Sequence, residues 1–189
     1  MSFFDDLKKK VENAAKSVVS NSTESFTFDD IPTTLEALKA LPQADLKNPA
    51  GVVALTVIAI NVYPADKDAA ISMLNFLKGP SPVSAQEEAF IKDRFYDGKI
   101  YVPRSYFKGA TPDNDYTPAA PFTIDVMTNP HTRDAEKEGR LTFWLQSGGA
   151  DNVRPCTVRN KPSTGEWFVE NYQALLADIR VPKSSNPWA

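Results

Sequence analysis

The run NPAGVVALTVIAINVY, from Asn48 to Tyr63, restricts the fold more than any other part of the 189-residue chain. Asn48 offers a side-chain cap, and Pro49 takes the one helical position where a missing N–H costs nothing, so the pair opens a helix. Between Val52 and Val62 nearly every residue is apolar, which leaves no side for water. A helix of that kind belongs inside a core, with neighbours all round it. Val, Thr and Ile also favour strands, so a buried strand is the rival reading. Length decides between them, because the run is long for a strand and too short to cross a bilayer as a helix. A central, enclosed helix is expected.

Shorter helices surround it. Thr33 and Glu36 stand at capping-box spacing ahead of Leu35, Leu38 and Leu41, with Pro42 as the stop. Pro64-Ala65-Asp66 starts a helix striped by Ile71, Leu74 and Leu77 and halted at Gly79-Pro80. Ser84 and Glu87 form a second capping box before Phe90, Ile91 and Phe95. From Phe122 the period drops to two, and PFTIDVMTN, RLTFWLQS, RPCTVRN and EWFVENY read as strands. In the second of these, Leu141, Phe143 and Leu145 fall on one face and Thr142, Trp144 and Gln146 on the other. Residues 162–165, Pro-Ser-Thr-Gly, read as a hairpin turn. Residues 172–177 read as a helical turn and 178–181 as a last edge strand. The expected class is α+β, a helical amino-terminal half packed on a carboxy-terminal antiparallel β-meander. Residues 31–182 form its single domain, and 183–189 a tail anchored by Trp188.

Ahead of the domain, residues 1–20 have Phe4, Leu7, Val11 and Val18 at helical spacing, with Lys8, Lys9, Lys10 and Lys16 around the polar side. This amphipathic helix either docks on its own domain or a second copy, or lies on a membrane surface. Residues 21–30, NSTESFTFDD, are polar and turn-rich and read as a hinge. A formal net charge of −3 argues against a dedicated nucleic-acid binder. Cys156 is the one cysteine, so neither an intrachain disulfide nor a cysteine zinc site is expected. Charges follow Met1 closely where a secretory signal would be apolar, and a cytoplasmic location, with peripheral membrane attachment as an option, is expected.

Residues 99–121, KIYVPRSYFKGATPDNDYTPAAP, break all periodicity with four prolines yet carry Tyr101, Tyr106, Phe107 and Tyr116. A long irregular segment of this kind either presents a recognition surface or is laid over the core and pinned there.

RSYFKGATPDNDYTPAAP at 104–121, LQSGGADNVRPCTVRNK at 145–161 and the ending DIRVPKSSNPWA resemble a bacterial family of domains of unknown function. NFLKGPSPVSAQEEAFIKDRF and ALTVIAINVYP fit the same family, so the likeness runs from about Asn48 to the carboxyl end. Its members are found mainly in Firmicutes and some carry an added zinc ribbon, which one cysteine cannot supply here. The resemblance implies an intracellular bacterial protein and brings no activity, substrate or catalytic residue with it.

Candidate chemistry is sparse. Cys156 and His131, with Asp125 or Asp151 as orienter, have the residue types of a thiol nucleophile and its base. Cys156 alternates with Val158 on a strand, however, where a small buried hydrophobe is commonplace. Asp113, Asn114 and Asp115 group oxygen ligands without the spacing of a calcium loop. Ser147-Gly148-Gly149-Ala150-Asp151 resembles an anion-binding loop but leads into a strand, so the helix dipole of a phosphate loop is missing. Arg104, Lys108, Arg154 and Arg159 would make an anion-gripping cluster if the long segment folded over the sheet. The leading expectation is a non-catalytic binding or assembly module, acting through Arg104, Tyr106, Phe107, Lys108, Tyr116, Arg154 and Arg159 and through the amino-terminal helix, toward a protein partner or a second copy. The alternative is a small-molecule or anion site, with or without enzymatic activity, between the sheet and residues 101–121. No catalytic residue, metal or cofactor is assigned.

Overall fold

A computed structural model describes residues 21–188 of the chain. The amphipathic segment at 1–20, with the membrane, self-association and partner expectations that rest on it, lies outside the described residues.

Helix α1 spans Leu35–Lys39, α2 Pro49–Val62, α3 Lys67–Lys78 and α4 Ala85–Arg94. The expectation for α2 holds in detail. Asn48 Oδ1 accepts from the amides of Ala50 and Gly51 at 2.9 and 3.2 Å, Pro49 is in the first turn, and every residue from Ala50 to Ile60 is buried. Thr56 is tolerated there because its hydroxyl donates to the Val52 carbonyl at 2.8 Å and so is not left unpaired. Helix α2 touches α3 and all five strands of the sheet.

The flanking helices follow their caps. Asp66 accepts from the Ala69 amide and starts α3, which buries Ala70, Met73, Leu74 and Leu77 while Ile71 stays half-exposed. The capping box of α4 closes both ways, Glu87 N–H to Ser84 Oγ at 3.2 Å and Ser84 N–H to Glu87 Oε2 at 2.9 Å. Of its three expected anchors Ile91 is fully buried, and Phe90 and Phe95 pack at the margin. The α1 cap falls one residue later than the sequence suggests: Thr34, not Thr33, accepts from Ala37 N–H. Pro42, expected as a stop, opens a 3₁₀ turn that runs to Asp45.

The sheet has five antiparallel strands in sequential order: β1 Thr23–Phe28, β2 Phe122–Met127, β3 Arg140–Leu145, β4 Arg154–Lys161 and β5 Glu166–Asn171. Strands β2 to β5 occupy the four segments read as strands. Strand β1 corrects two expectations at once, since 21–30 is not a hinge and the amino-terminal half is not wholly helical. Its six residues pair with β2 from Thr23↔Met127 to Phe28↔Phe122, and only Phe26 and Phe28 point into the core. Strands β2 and β3 meet at a single register pair, Met127↔Trp144. Along β3 the alternation is as expected, with Leu141, Phe143 and Leu145 buried. Gly165, at φ +66°, closes the β4–β5 turn.

The last segment also departs from expectation. Residues 173–176 form a 3₁₀ turn, but 178–181 form no strand and give one sheet-like bond, Arg180 N–H to the Gly149 carbonyl at 2.9 Å. Trp188 is 92% exposed and does not anchor the tail. Among the described residues, no helix is long and apolar enough to cross a membrane.

Candidate functional site

The aromatic residues of the long segment point inward. Tyr106, Phe107 and Tyr116 are buried, and Tyr101 stacks on Tyr116 with ring centroids 5.3 Å apart. The Tyr106 hydroxyl donates to the Leu175 carbonyl at 2.8 Å, and that of Tyr116 to the Arg180 carbonyl at 2.7 Å. Burial pushes both phenols up, Tyr116 to about 12 and Tyr106 further. The segment is therefore laid over the core by its aromatics, and none of these four rings is available on the surface.

The basic residues do not converge either. Lys108 pairs with Asp125 on β2. Arg154, at the start of β4, donates to the carbonyls of Asn152, Ala177 and Asp178, while Arg159, five residues on, pairs with Glu170 on β5. Arg104 is exposed at a 3₁₀ turn. Lys108, Arg154 and Arg159 are each engaged with separate partners, so the anticipated anion cluster is not assembled.

The glycine-rich segment proves to be a clasp. A Cβ on Gly148 would sit 1.9 Å from the Ala110 carbonyl oxygen, and one on Gly149 would sit 2.0 Å from the Tyr116 hydroxyl. Both positions need bare backbone because the 105–116 segment crosses directly over them. Gly148 N–H donates to the Ser105 carbonyl at 2.8 Å and Gly149 N–H to Ser147 Oγ at 3.0 Å, so these amides serve the protein itself. An Arg180–Asp151 ion pair ties the carboxy-terminal stretch to the same place. The three stretches that carry the family resemblance are thus packed against one another.

Cys156 and His131 are not a catalytic pair. The thiol is fully buried and pushed by that burial up to about 12, far from thiolate formation. The imidazole is largely exposed and bonded to Asp134 at 2.9 Å. Asp113 pairs with Lys183, Asn114 caps Thr111, and Asp115 accepts from Ser184 N–H, which accounts for all three as loop fasteners. Among the described residues, no group of three or more His, Cys, Asp or Glu is placed to hold a metal.

What the fold does assemble is a cleft of about 270 Å³ between the end of α3 and the β4–β5 pair, lined by Lys78, Pro80, Arg159, Lys161, Phe168 and Glu170 among others. Its floor depends on Gly79. There φ is +56°, and a Cβ would lie 2.3 Å from the Phe168 ring, so only glycine lets the helix end lie down on that ring. Lys78 is 6% exposed, its Nζ 2.8 Å from Glu87 Oε1 and 5.7 Å from the Tyr172 ring centroid. Burial pushes the Glu87 carboxyl up. Hydrogen bonds from Lys78 and from the Ser84 amide, with the lysine's charge, outweigh that and hold it below its ordinary value. On the opposite wall Arg140 donates to Glu170 at 2.6 Å and Arg159 at 3.3 Å. The Arg140 bond is the main reason the Glu170 carboxyl lies below its ordinary value.

Of the seven residues read from sequence as a binding group, Arg159 alone lines this cleft. Lys78, Lys161 and Phe168 were not anticipated. The visible signals are a lysine directly before a helix-stopping Gly-Pro and two basic residues two apart on one strand, and neither implies the other's presence.

This architecture, four helices against one antiparallel sheet with a clasped crossover, defines an α+β domain. The chain belongs to the family described as "Domain of unknown function (DUF6935)", whose model matches residues 30–183. No curated protein and no solved structure matches it.

Proposed function

We propose that the protein is a non-catalytic binding module whose ligand is a small molecule seated in the cleft between α3 and the β4–β5 pair. The carrying observation is that Arg159 and Lys161 line this cleft together with the half-buried Phe168, with Lys78 in its wall. Ligand sites are concave and mostly apolar, with a few polar groups that fix orientation, and this cleft has that make-up. Its volume lies just under the roughly 300–1,000 Å³ usual for drug-sized ligands, so the occupant is compact. Both partners of the Lys78–Glu87 pair are tied to helices, which gives the site a rigid wall and a low ordering cost on binding.

The test is a small-molecule fragment screen followed by backbone amide NMR on the full chain. Hits should move the signals of residues 78–81, 159–161 and 168–170. Hits that cluster on another surface, or a screen with no hits, would overturn the reading.

A further inference from the structure

The cleft also says what kind of compact molecule it takes, an inference that rests on the reading of it as a ligand site. On a chain of formal charge −3, its walls carry three cations, Lys78, Arg159 and Lys161, against one carboxylate, Glu170. Neither nearby carboxylate is idle. Glu170 is bound by Arg140 and Arg159, and Glu87 by Lys78 and the Ser84 amide. The cations keep capacity that these carboxylates do not absorb. An ammonium has three protons to donate, and among the described residues Lys78 Nζ has Glu87 as its one acceptor. Lys161, exposed on β4, has no carboxylate within ion-pair distance among the described residues. Lys78 is already neutralised by Glu87, which lies outside the lining, so the positive charge left for an occupant is that of Lys161 with Arg159 beside it. The rest of the lining is flat and apolar: the Phe168 ring is held in place by Gly79, with Pro80 and Pro162 on either side.

We infer that the cleft takes a small aromatic anion, its negative group meeting Arg159 and Lys161 and its ring lying on Phe168. A carboxylate and a phosphate ester share the required chemistry. Four probes separate the parts of the assignment on the full chain, followed by amide NMR titration: benzoate, phenyl phosphate, benzamide and acetate. Benzoate and phenyl phosphate should shift residues 78–81, 159–161 and 168–170, and bind about tenfold more tightly than benzamide, as expected when a charge-assisted contact replaces a neutral one. Whichever anion binds more tightly identifies the headgroup, and either order supports the assignment. Acetate should bind far more weakly than benzoate.

Arg159→Ala combined with Lys161→Ala changes exposed side chains and should reduce benzoate to the level of benzamide while amide dispersion is unchanged. Equal binding of benzamide and benzoate in the cleft, or a preference that survives the double substitution, would overturn the anion assignment and leave the site itself standing. Acetate binding as tightly as benzoate would remove the aromatic requirement and so overturn the assignment. If none of the four probes moves a cleft amide, the anion assignment and the site fall together.

Discussion

The hydroxyl of Ser147 donates to the hydroxyl of Ser105 over 2.7 Å, joining positions 42 residues apart inside the protein. Ser105 Oγ in turn donates to the Val102 carbonyl at 2.6 Å, so both hydroxyl protons are satisfied. Around this contact the crossover segment lies on bare backbone at Gly148. Gly148→Ala is expected to destabilise the domain by about 3 kcal/mol, because the new methyl meets a carbonyl and not a flexible side chain. Gly109→Ala in the same segment meets nothing within 4 Å and should cost only its left-handed φ, about 1 kcal/mol. Urea unfolding of the two variants checks the contrast. Equal losses would mean that the crossing is looser than described.

Tyr106→Phe and Tyr116→Phe remove one hydrogen bond each and leave a carbonyl, Leu175 or Arg180, without its partner. Each should lose about 1–2 kcal/mol, the greater loss falling at the more buried Tyr106 site. Ultraviolet titration gives an independent reading. The buried phenols should stay protonated well past the ordinary tyrosine range, Tyr116 to about 12, and ionise earlier only if the domain opens.

The Lys78–Glu87 pair makes stability acid-sensitive. Glu87 has a folded pKa below its ordinary 4.5, so its contribution is complete above that pH. It is lost as pH falls through the folded value, because the unfolded chain takes up the proton more readily. Glu87→Gln should cost about 2 kcal/mol at neutral pH, by leaving Lys78 buried beside a neutral partner. The gap between wild type and variant should narrow below pH 4.5. Thermal melts across pH 3 to 7 test this, and a gap that widens in acid would contradict it.

Cys156 should be inert to thiol reagents in the native state and react fully in denaturant. It is 0% exposed, and its thiol is far from ionising at neutral pH. The rate of modification by a disulfide reagent, followed with and without urea, measures this. Rapid native labelling would show the β3–β4 region opening on its own.

The parts of the fold that could be read ahead were those where one local rule sufficed. Asn48-Pro49 and the unbroken apolar run give α2, Ser84 and Glu87 give α4, and the alternation at Leu141, Phe143 and Leu145 gives β3. Strand β1 escaped because an edge strand buries one face: only Phe26 and Phe28 carry the period, and the rest reads as a polar turn. Tyr106 and Tyr116 were misleading because proline-rich aromatic segments look alike whether they face water or the core. Their direction is set by carbonyls at 175 and 180, which composition does not encode. The cleft was out of reach for the same reason, since Lys78 and Phe168 come together only after the helix end settles on the sheet.

Ser25 and Asp125 are hydrogen bonded at 2.6 Å across a separation of 100 residues, and β2 is the one strand that β1 pairs with. On a ribosome, then, the first strand waits. All four helices are synthesised before its partner emerges, and closing so long a loop is worthwhile only once they have condensed. The margin of the sheet is completed late in assembly, when nearly two thirds of the chain is already made.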